Sequence, residues 1–340
     1  MSDQLFTSAP QRTAARRLAA GAGLFVLGFF LGWITKSVPP LAALDTQDKR
    51  APLRAKSHNY KFINPLLAVG DLPEFHEFKP LEQTVTEYIK TYLHGHPGDA
   101  ISVYFRDLDS SRWMGVDEET AYAPASMYKV VTMIAYLKAA ETKPNILSTI
   151  IIYGGGTAPS PLSDDFEQGQ KIHPNERYTV GDLLYRMIVY SDNIAAGLLL
   201  QSLEPNLLQH VFADLGLTMP QVDNKGDTMS AKSYSLFFRI LYNGTYLSHD
   251  MSEKALELLS KTEFNDGLVA GLPPNTTAAH KFGHRQLPGG EELHDCGIIY
   301  YPDHPYLLCI MTRGSMVQNL KSIIRDISQM TYAAVAREHP

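Results

Sequence analysis

Residues 122–137, YAPASMYKVVTMIAYL, join a turn to an apolar helix. Pro124 interrupts regular structure, Ser126 stands where the helix is predicted to begin, and Lys129 follows three residues later. Because positions i and i+3 share one face of a helix, the two side chains can meet. A serine hydroxyl becomes an effective nucleophile when a base accepts its proton. A lysine held neutral by burial or by nearby positive charge can be that base.

The Ser-x-x-Lys spacing also has an ordinary interpretation. About one such pair is expected by chance in a chain of this length, and Ser126 could cap the helix with Lys129 in solvent. On either interpretation, the free N–H groups at the helix N-terminus would favour negative charge near Ser126. The choice between a catalytic pair and a capped helix therefore depends on other segments of the chain.

Two more motifs follow along the chain. Ser191-Asp192-Asn193 lies between predicted helices at 180–190 and 194–203, and Lys281-Phe282-Gly283 lies on a predicted strand. The order Ser-x-x-Lys, Ser-Asp-Asn and Lys-[Thr/Ser]-Gly is the motif set of class A β-lactamases and penicillin-binding proteins. From about residue 60 to the C-terminus, the chain resembles the penicillin-recognising serine hydrolases, and the class A β-lactamase-like branch most closely.

The resemblance implies a catalytic role for four residues. Ser126 would be the nucleophile that forms an acyl-enzyme, and Lys129 would be its base. The Ser191 hydroxyl would relay a proton to the leaving group. Lys281 would supply positive charge that lowers the pKa of a neighbouring group and attracts an anionic substrate.

The resemblance also implies four positions on the substrate side. Asn193 would donate its amide to a carbonyl of the substrate, and Gly283 would let the substrate lie against the strand backbone. The oxyanion hole would combine the backbone N–H groups of Ser126 and His284. Phe282 stands where the motif usually has Thr or Ser, whose hydroxyl helps to hold a substrate carboxylate.

Phe282 changes what the site could hold. A phenyl ring offers no hydrogen bond, so Arg285, Arg313 or His284 would have to bind a carboxylate instead. A neutral substrate would suit Phe282 better than one that bears a carboxylate. An esterase that uses the same Ser–Lys pair is therefore an alternative function.

A second departure concerns the release of the acyl group. Class A β-lactamases carry a Glu-x-x-Leu-Asn loop whose glutamate activates the deacylating water. The segment 204–208, EPNLL, matches it only superficially, since the proline after Glu204 marks a helix N-terminus. Asp223 and Asp227 follow later, and turn formation explains both. We therefore expect slow β-lactam turnover or peptidase chemistry, with a catalytically silent wall-peptide-binding module as a further alternative.

The N-terminal region predicts a membrane anchor. Residues 18–34, LAAGAGLFVLGFFLGWI, form an apolar run that could be a short transmembrane helix or the core of a signal peptide. The region after it lacks a clean cleavage site, which favours an uncleaved signal anchor over a secreted or periplasmic product. Arginines precede the run, so residues 1–17 are predicted to be a cytoplasmic tail. A linker at 35–59 would then lead to an extracytoplasmic hydrolase domain at 60–340.

Strand patterns at both ends of this domain, with helices between them, define the expected fold. The fold class is α/β (α+β), with terminal helices on one face of an antiparallel sheet and an inserted all-α subdomain. The expected strands are 101–105, 113–116, 278–284, 293–301 and 306–312. The expected helices are 81–93, the Ser126 helix, segments that fill 145–263 except for a polar stretch, and 316–337. By resemblance, the active site lies between the two parts.

The net charge limits the classes of binding partner that the sequence allows. The net charge of -6 does not favour nucleic acid, and neither a cofactor nor a metal is expected. By resemblance, the substrates would be small molecules or peptides, namely β-lactams or the D-Ala-D-Ala end of wall peptides.

Cys296 and Cys309 are symmetric about a turn at 302–303. A hairpin would place them opposite each other, either as a disulfide or as two buried thiols.

Overall fold

The computed structural model describes residues 53–54, 60–68, 78–110, 112–155, 172–219, 226 and 228–339. The predicted cytoplasmic tail, the predicted signal anchor and most of the predicted linker lie outside the described residues. In the described part of the chain, no helix is long and apolar enough to cross a membrane. The first described elements are two paired antiparallel strands, β1 (Leu53–Arg54), within the predicted linker, and β2 (Leu66–Ala68).

Five strands from the two ends of the domain form one antiparallel sheet. They are β3 (Ala100–Asp107), β4 (Trp113–Val116), β9 (Ala278–Leu287), β10 (Gly290–Ile299) and β11 (Tyr306–Gly314). Their order is β4-β3-β11-β10-β9, so β9 is an edge strand. Successive side chains of a strand face opposite sides of the sheet. The two faces therefore contribute to two different apolar cores.

The part of the chain that the structure describes contains eight α-helices. They are α1 (Lys79–Gly95), α2 (Tyr128–Thr142), α3 (Val180–Val189), α4 (Asn193–Ser202), α5 (Pro205–Asp214), α6 (Ala231–Tyr242), α7 (His249–Leu259) and α8 (Val317–Glu338). The terminal helices α1 and α8 share one core with the sheet, and α1 buries Leu81, Val85 and Ile89 along one stripe. The helices α2 to α7 build the other core.

Helix α2 lies at the centre of the inserted helices. Its residues from Val130 to Leu137 are all buried, as expected for a helix that is apolar all round. Two short strand pairs complete this part, β5 (Ala121–Tyr122) with β8 (Met229–Ser230) and β6 (Ile150–Ile152) with β7 (Arg177–Thr179). The prediction of helix through residues 150–152 is wrong, because three consecutive β-branched isoleucines favour an extended strand.

The predicted fold class is confirmed. Each predicted strand of the sheet overlaps a strand of the structure, and the terminal helices lie within two residues of their expected bounds. Helices inserted between β5 and β9 build a second core against the other face of the sheet. The chain therefore has the α/β (α+β) architecture expected from its sequence.

A buried histidine joins the sheet to the segment that precedes Ser126. Nε2 of His294 on β10 lies 3.1 Å from the carbonyl oxygen of Ala123. The backbone N–H of Thr312 donates to Nδ1 at 3.2 Å, so Nε2 carries the ring proton and donates it to Ala123. Burial disfavours the charged ring and lowers the pKa of His294 to about 3.

Cys296 and Cys309 lie directly opposite each other on β10 and β11 and form a disulfide bond. Both residues are fully buried in the core that the sheet shares with the inserted helices. Of the two alternatives that the sequence leaves open, the structure has the disulfide. The bond ties β10, the neighbour of the edge strand β9, to β11, the following strand of the sheet.

Reduction of this bond is expected to destabilise the domain. The two cysteines are separated by 13 residues in sequence. Closing a loop of that length in the unfolded chain contributes about 3 kcal/mol to the free energy of unfolding. Urea unfolding of the wild-type protein with and without reductant measures this loss. The double variant Cys296→Ala, Cys309→Ala should unfold identically in both conditions. A wild-type free energy that reductant leaves unchanged would contradict the prediction.

Acid is expected to destabilise the fold through His294. The unfolded chain binds a proton on this ring near pH 6.5, whereas the folded protein does so only near pH 3. Between these values the unfolded state holds more protons, so the free energy of unfolding falls as the pH falls. From pH 6 to pH 4, the wild-type protein should lose about 2 to 3 kcal/mol more than His294→Gln.

Urea unfolding at several pH values measures this difference. The control is His210→Gln, which removes an exposed imidazole from α5 and should keep the wild-type slope. Parallel curves for the wild-type protein and His294→Gln would show that the ring does not titrate as expected.

Candidate active site

Ser126 lies in a short 3₁₀ turn, Ala125–Met127, and α2 begins just after it at Tyr128. Ser126 therefore precedes the helix rather than starting it, and it is 7% exposed. Ala125 has a φ of 47°, in the left-handed region that a residue with a Cβ rarely occupies. Such a conformation persists only when the surrounding structure holds it.

Two contacts hold the Ser126 turn from opposite sides. The Tyr234 hydroxyl of α6 donates to the carbonyl oxygen of Met127 at 2.9 Å. On the other side, a Cβ placed on Gly283 of β9 would lie 2.7 Å from the carbonyl oxygen of Pro124. The edge strand therefore approaches the turn as closely as a glycine allows.

Lys129 lies in the first turn of α2 and is 2% exposed. Its Nζ donates to the Ser191 carbonyl oxygen at 2.5 Å, to the Ser191 hydroxyl at 3.1 Å and to Oδ1 of Asn193 at 2.7 Å. Positions i and i+3 lie on the same face of a helical turn, so the Lys129 side chain leaves α2 on the side of Ser126. The alternative with Lys129 in solvent is therefore wrong, since three acceptors inside the protein hold its ammonium group.

The Ser-Asp-Asn motif forms the break between α3 and α4. Ser191 has a φ of 57°, which ends α3 and turns the chain. The Asp192 carboxylate caps α4 by accepting the backbone N–H of Ala195 at 2.8 Å. Asn193 is the first residue of α4 and is buried. Asp192 thus positions the motif, while Ser191 and Asn193 contact Lys129.

Lys281 reaches the same hydroxyl from the sheet. It is fully buried on β9, opposite Cys296. Its Nζ donates to the Ser191 hydroxyl at 3.0 Å and to the carbonyl oxygen of Phe282 at 3.2 Å. Burial lowers the pKa of Lys281 well below its ordinary value, and the positive charge of Lys129 lowers it further. The charge of Asp295 opposes this shift.

The Ser191 hydroxyl therefore lies between two buried lysine side chains. Two like charges around one small buried site destabilise each other, so the pair favours the loss of one proton. A neutral amine near Ser126 is a base, and the hydroxyl between the two amines can pass a proton. The structure brings together four of the residues that the sequence predicts for the site, namely Lys129, Ser191, Asn193 and Lys281, and Ser126 lies three residues before Lys129 in the turn that leads into α2.

Phe282 and His284 are both buried. The Phe282 ring stacks on Phe264 with 4.1 Å between the ring centroids, and Lys281 Nζ lies 4.0 Å from the Phe282 centroid. Nζ of Lys281 therefore lies over the face of the Phe282 ring. Nε2 of His284 lies 2.6 Å from a carboxylate oxygen of Glu291. The side chain of His284 is thus engaged within the β9–β10 hairpin, and its predicted oxyanion role concerns only its backbone N–H.

Two arginines lie beyond Gly283 on the face of the sheet that carries Lys281. Arg285 on β9 and Arg313 on β11 are both opposite Glu292 of β10. Nε and Nη2 of Arg313 donate to one oxygen of Glu292 at 2.9 and 2.7 Å, and Nη2 of Arg285 lies 3.1 Å from the other. One carboxylate between two guanidinium groups leaves positive charge in excess at this end of the site.

Sequence reasoning did not single out Glu292, His294 or Tyr234. A signal for the first two was available, because the segment 291–296, EELHDC, places titratable residues within a predicted strand. Strand alternation puts Glu292 and His294 on the same face as Cys296. No local pattern marks Tyr234, whose contact with the Ser126 turn depends on how α6 packs.

Glu204 lies far from the site. It precedes α5, is exposed, and its carboxylate pairs with Nζ of Lys143 at 2.8 Å. Lys143 follows the last residue of α2, about 21 Å along the helix axis from Lys129 at 1.5 Å per residue. Asp223 and Asp227, the other carboxylates considered for deacylation, lie outside the described residues.

Known proteins match this chain over most of the domain. The family model described as the beta-lactamase enzyme family matches residues 83–335. A β-lactamase of Streptomyces albus G is 25% identical over 239 residues, which are 63% of this chain and 73% of that protein. The matched residues include all three sequence motifs.

Solved structures share the fold. A mutant of PBP-A, solved as an acyl-enzyme complex with penicillin G, has a TM-score of 0.64 at 22% identity, covering 78% of this chain and 100% of that chain. A variant of the class A β-lactamase of the last common ancestor of Gram-negative bacteria has a TM-score of 0.64 at 23% identity, covering 76% and 100%. The fold is thus that of class A β-lactamases, and the family match shows that this chain belongs to the beta-lactamase enzyme family.

Proposed function

We propose that this chain is a serine hydrolase that forms an acyl-enzyme on Ser126. The proposed substrates are β-lactams or the D-Ala-D-Ala end of cell-wall peptides. The observation that carries the proposal is the Ser191 hydroxyl between Lys129 and Lys281, close to the Ser126 turn. The acyl-enzyme of PBP-A with penicillin G, in a structure of the same fold, supports the choice of substrate class.

Acylation begins with a proton transfer. Lys129 first passes a proton through the Ser191 hydroxyl to Lys281, and its neutral amine then accepts the proton of Ser126 Oγ as that oxygen attacks the carbonyl carbon of the scissile amide. Negative charge develops on the carbonyl oxygen, and the backbone N–H groups of Ser126 and His284 stabilise it. The C–N bond then breaks, and the leaving nitrogen takes a proton from the Ser191 hydroxyl, which Lys129 replaces with the proton that it took from Ser126. The products are an ester on Ser126 and an amine, which in a β-lactam stays attached to the acyl group.

Release of the acyl group is expected to be slow. Hydrolysis of the ester needs a water molecule and a base that activates it. The sequence has no Glu-x-x-Leu-Asn motif, and Glu204, the superficial match, pairs with Lys143 at the far end of α2. The ester should therefore accumulate, which favours peptidase chemistry or slow β-lactam turnover over efficient β-lactamase activity.

The proposal includes the location of the domain. The apolar run at 18–34 would anchor the chain in the cell membrane, with residues 1–17 in the cytoplasm and the hydrolase domain outside. Arginines before the run and the absence of a clean cleavage site after it support this orientation. An extracytoplasmic domain would have access to wall peptides and to β-lactams.

A neutral ester is the second candidate substrate. Phe282 replaces a hydroxyl with a hydrocarbon ring that stacks on Phe264, which favours a substrate without a carboxylate. Arg285 and Arg313 bear positive charge nearby, but each is paired with Glu292. Comparing the hydrolysis of p-nitrophenyl esters with that of penicillin separates the two substrate classes.

Penicillin is expected to leave a covalent adduct on Ser126. Intact-mass spectrometry of the full-length chain after incubation with penicillin G should show one added acyl group, and the mass should persist because deacylation is slow. Ser126→Ala removes the attacking oxygen, so this variant should show no adduct. Lys129→Ala removes the base and should slow adduct formation by about a hundredfold or more.

The other outcomes of this experiment are also informative. An adduct on Ser126→Ala would refute the assignment of the nucleophile. An adduct that disappears while penicillin is consumed would reveal an efficient deacylating group and contradict slow release. The absence of any adduct on the wild-type chain, with ester hydrolysis intact, would favour the neutral substrate.

Gly283→Ala is expected to displace the Ser126 turn. Its new Cβ would lie 2.7 Å from the Pro124 carbonyl oxygen, and two backbone segments cannot both keep their positions at that distance. The rate constant of acylation should fall by about tenfold to a hundredfold, since a displacement near 1 Å has that effect on a reacting group. Gly95→Ala is the control, because no atom of the described residues lies within 4 Å of its new Cβ. Equal acylation rates in the two variants would contradict the assigned contact.

A further inference from the structure

We infer that His294 is a positioning residue for the reaction at Ser126, acting through the carbonyl group of Ala123. The inference rests on the proposed acylation of Ser126 and assigns a role to a residue outside the three motifs. His294 makes no contact with a substrate in this scheme. It holds the backbone that presents the nucleophile.

The hydrogen bonds of the ring define its role. The backbone N–H of Thr312 occupies Nδ1 at 3.2 Å, so the ring proton is on Nε2. Nε2 then donates to the carbonyl oxygen of Ala123 at 3.1 Å. The ring also meets Tyr122 edge to face, with 5.3 Å between the centroids. With both nitrogens engaged and the ring fully buried, His294 has one orientation and one donor direction.

The contacted carbonyl lies between two backbone hydrogen bonds, from the N–H of Thr228 to the Tyr122 carbonyl at 3.0 Å and from the N–H of Met127 to the Pro124 carbonyl at 3.0 Å. Ala123 lies three residues before Ser126, and Pro124 between them has no N–H to donate. Ala125 then adopts a left-handed φ of 47°. On the far side, Tyr234 holds the carbonyl of Met127. His294 supplies the corresponding contact on the near side, so the turn is fixed at both of its ends.

Because the His294 ring stays neutral, its Nε2–H remains a hydrogen-bond donor to Ala123. Burial and the charges of Arg285 and Arg313 lower the pKa of His294 to about 3, so the ring is neutral at any pH at which a hydrolase of this kind would work. A protonated ring would carry a proton on Nδ1 and lose the bond from Thr312. The environment therefore maintains the tautomer that the contact with Ala123 requires.

His294 also lies opposite Gly283 in the register of β10 and β9. Gly283 lets the sheet approach Pro124, and His294 bonds the residue just before it. Gly283 and His294, which are neighbours across two strands, therefore meet two neighbouring residues of the chain, Pro124 and Ala123. The sheet carries Lys281, so these contacts fix the turn that carries Ser126 relative to that lysine.

Two substitutions of His294 test whether the hydrogen-bond donor at Nε2, rather than the volume of the ring, positions the turn. His294→Gln has an amide that can reach the position of Nε2 and donate to Ala123. His294→Asn has an amide that can reach only the position of Nδ1, so it can accept from Thr312 but cannot hold Ala123. The asparagine variant should acylate about tenfold or more slowly than the wild-type chain, whereas the glutamine variant should stay within about threefold.

The test measures the first-order rate constant of acylation separately from the affinity for the unreacted ligand. Reaction at Ser126 is followed as acylation by penicillin G and, independently, as phosphonylation by a serine-reactive fluorophosphonate that loses fluoride, at a temperature well below the unfolding of every variant. If His294 positions the turn, His294→Asn should lower the rate constant and leave the affinity for the unreacted ligand unchanged. His294→Gln should restore the rate constant. His210→Asn, on the exposed face of α5, controls for the substitution itself.

The outcomes distinguish this inference from the proposed function. A wild-type chain that reacts with fluorophosphonate but not with penicillin refutes the substrate class, and the asparagine-to-glutamine ratio with fluorophosphonate still tests His294. Equal rates for all variants, or a glutamine variant as slow as the asparagine variant, would overturn the positioning role. Nitrogen-15 NMR of the histidines should find the His294 proton on Nε2, and a proton on Nδ1 would also overturn it.

Discussion

The Ser191 hydroxyl bonds to two buried lysine side chains, and this shared contact constrains the rest of the site. A buried ammonium group is costly unless it is hydrogen-bonded or loses its proton. Lys129 comes from α2, Ser191 from the break between α3 and α4, and Lys281 from the edge of the sheet. The contact forms only when the packing of the domain holds these three elements in one arrangement.

The sheet provides the rigid side of this arrangement. Lys281 lies opposite Cys296, which is bonded to Cys309 on the next strand, so the lysine is supported by three linked strands. The helical side is held to the sheet through the segment that contains Ser126. Gly283 allows close approach there, and His294 adds a directed hydrogen bond. The position of Ser126 is thus set by contacts from the sheet as well as by the start of α2.

The departures from the family pattern are Phe282 and the missing Glu-x-x-Leu-Asn motif, and neither disturbs the lysine cluster. Phe282 removes a hydroxyl but packs on Phe264 and contacts the Lys281 ammonium group, so the strand keeps its place. Glu292 pairs with arginines on both neighbouring strands and leaves positive charge beyond Gly283. The contacts among Lys129, Ser191 and Lys281 are therefore kept, while the side chains next to them differ from the family pattern.

The sequence by itself determined the positions of most helices and strands, the fold class and the three motifs, because periodicity and motif order are local properties. It failed at residues 150–152, where β-branched isoleucines pair as a strand. Only the tertiary structure decided that Lys129 is buried, that the cysteines are bonded, and that His294 holds Ala123. Lys281 and Ser191 are 90 residues apart, and His294 and Ala123 are 171 apart. Such contacts depend on the packing of distant elements, which no local pattern encodes.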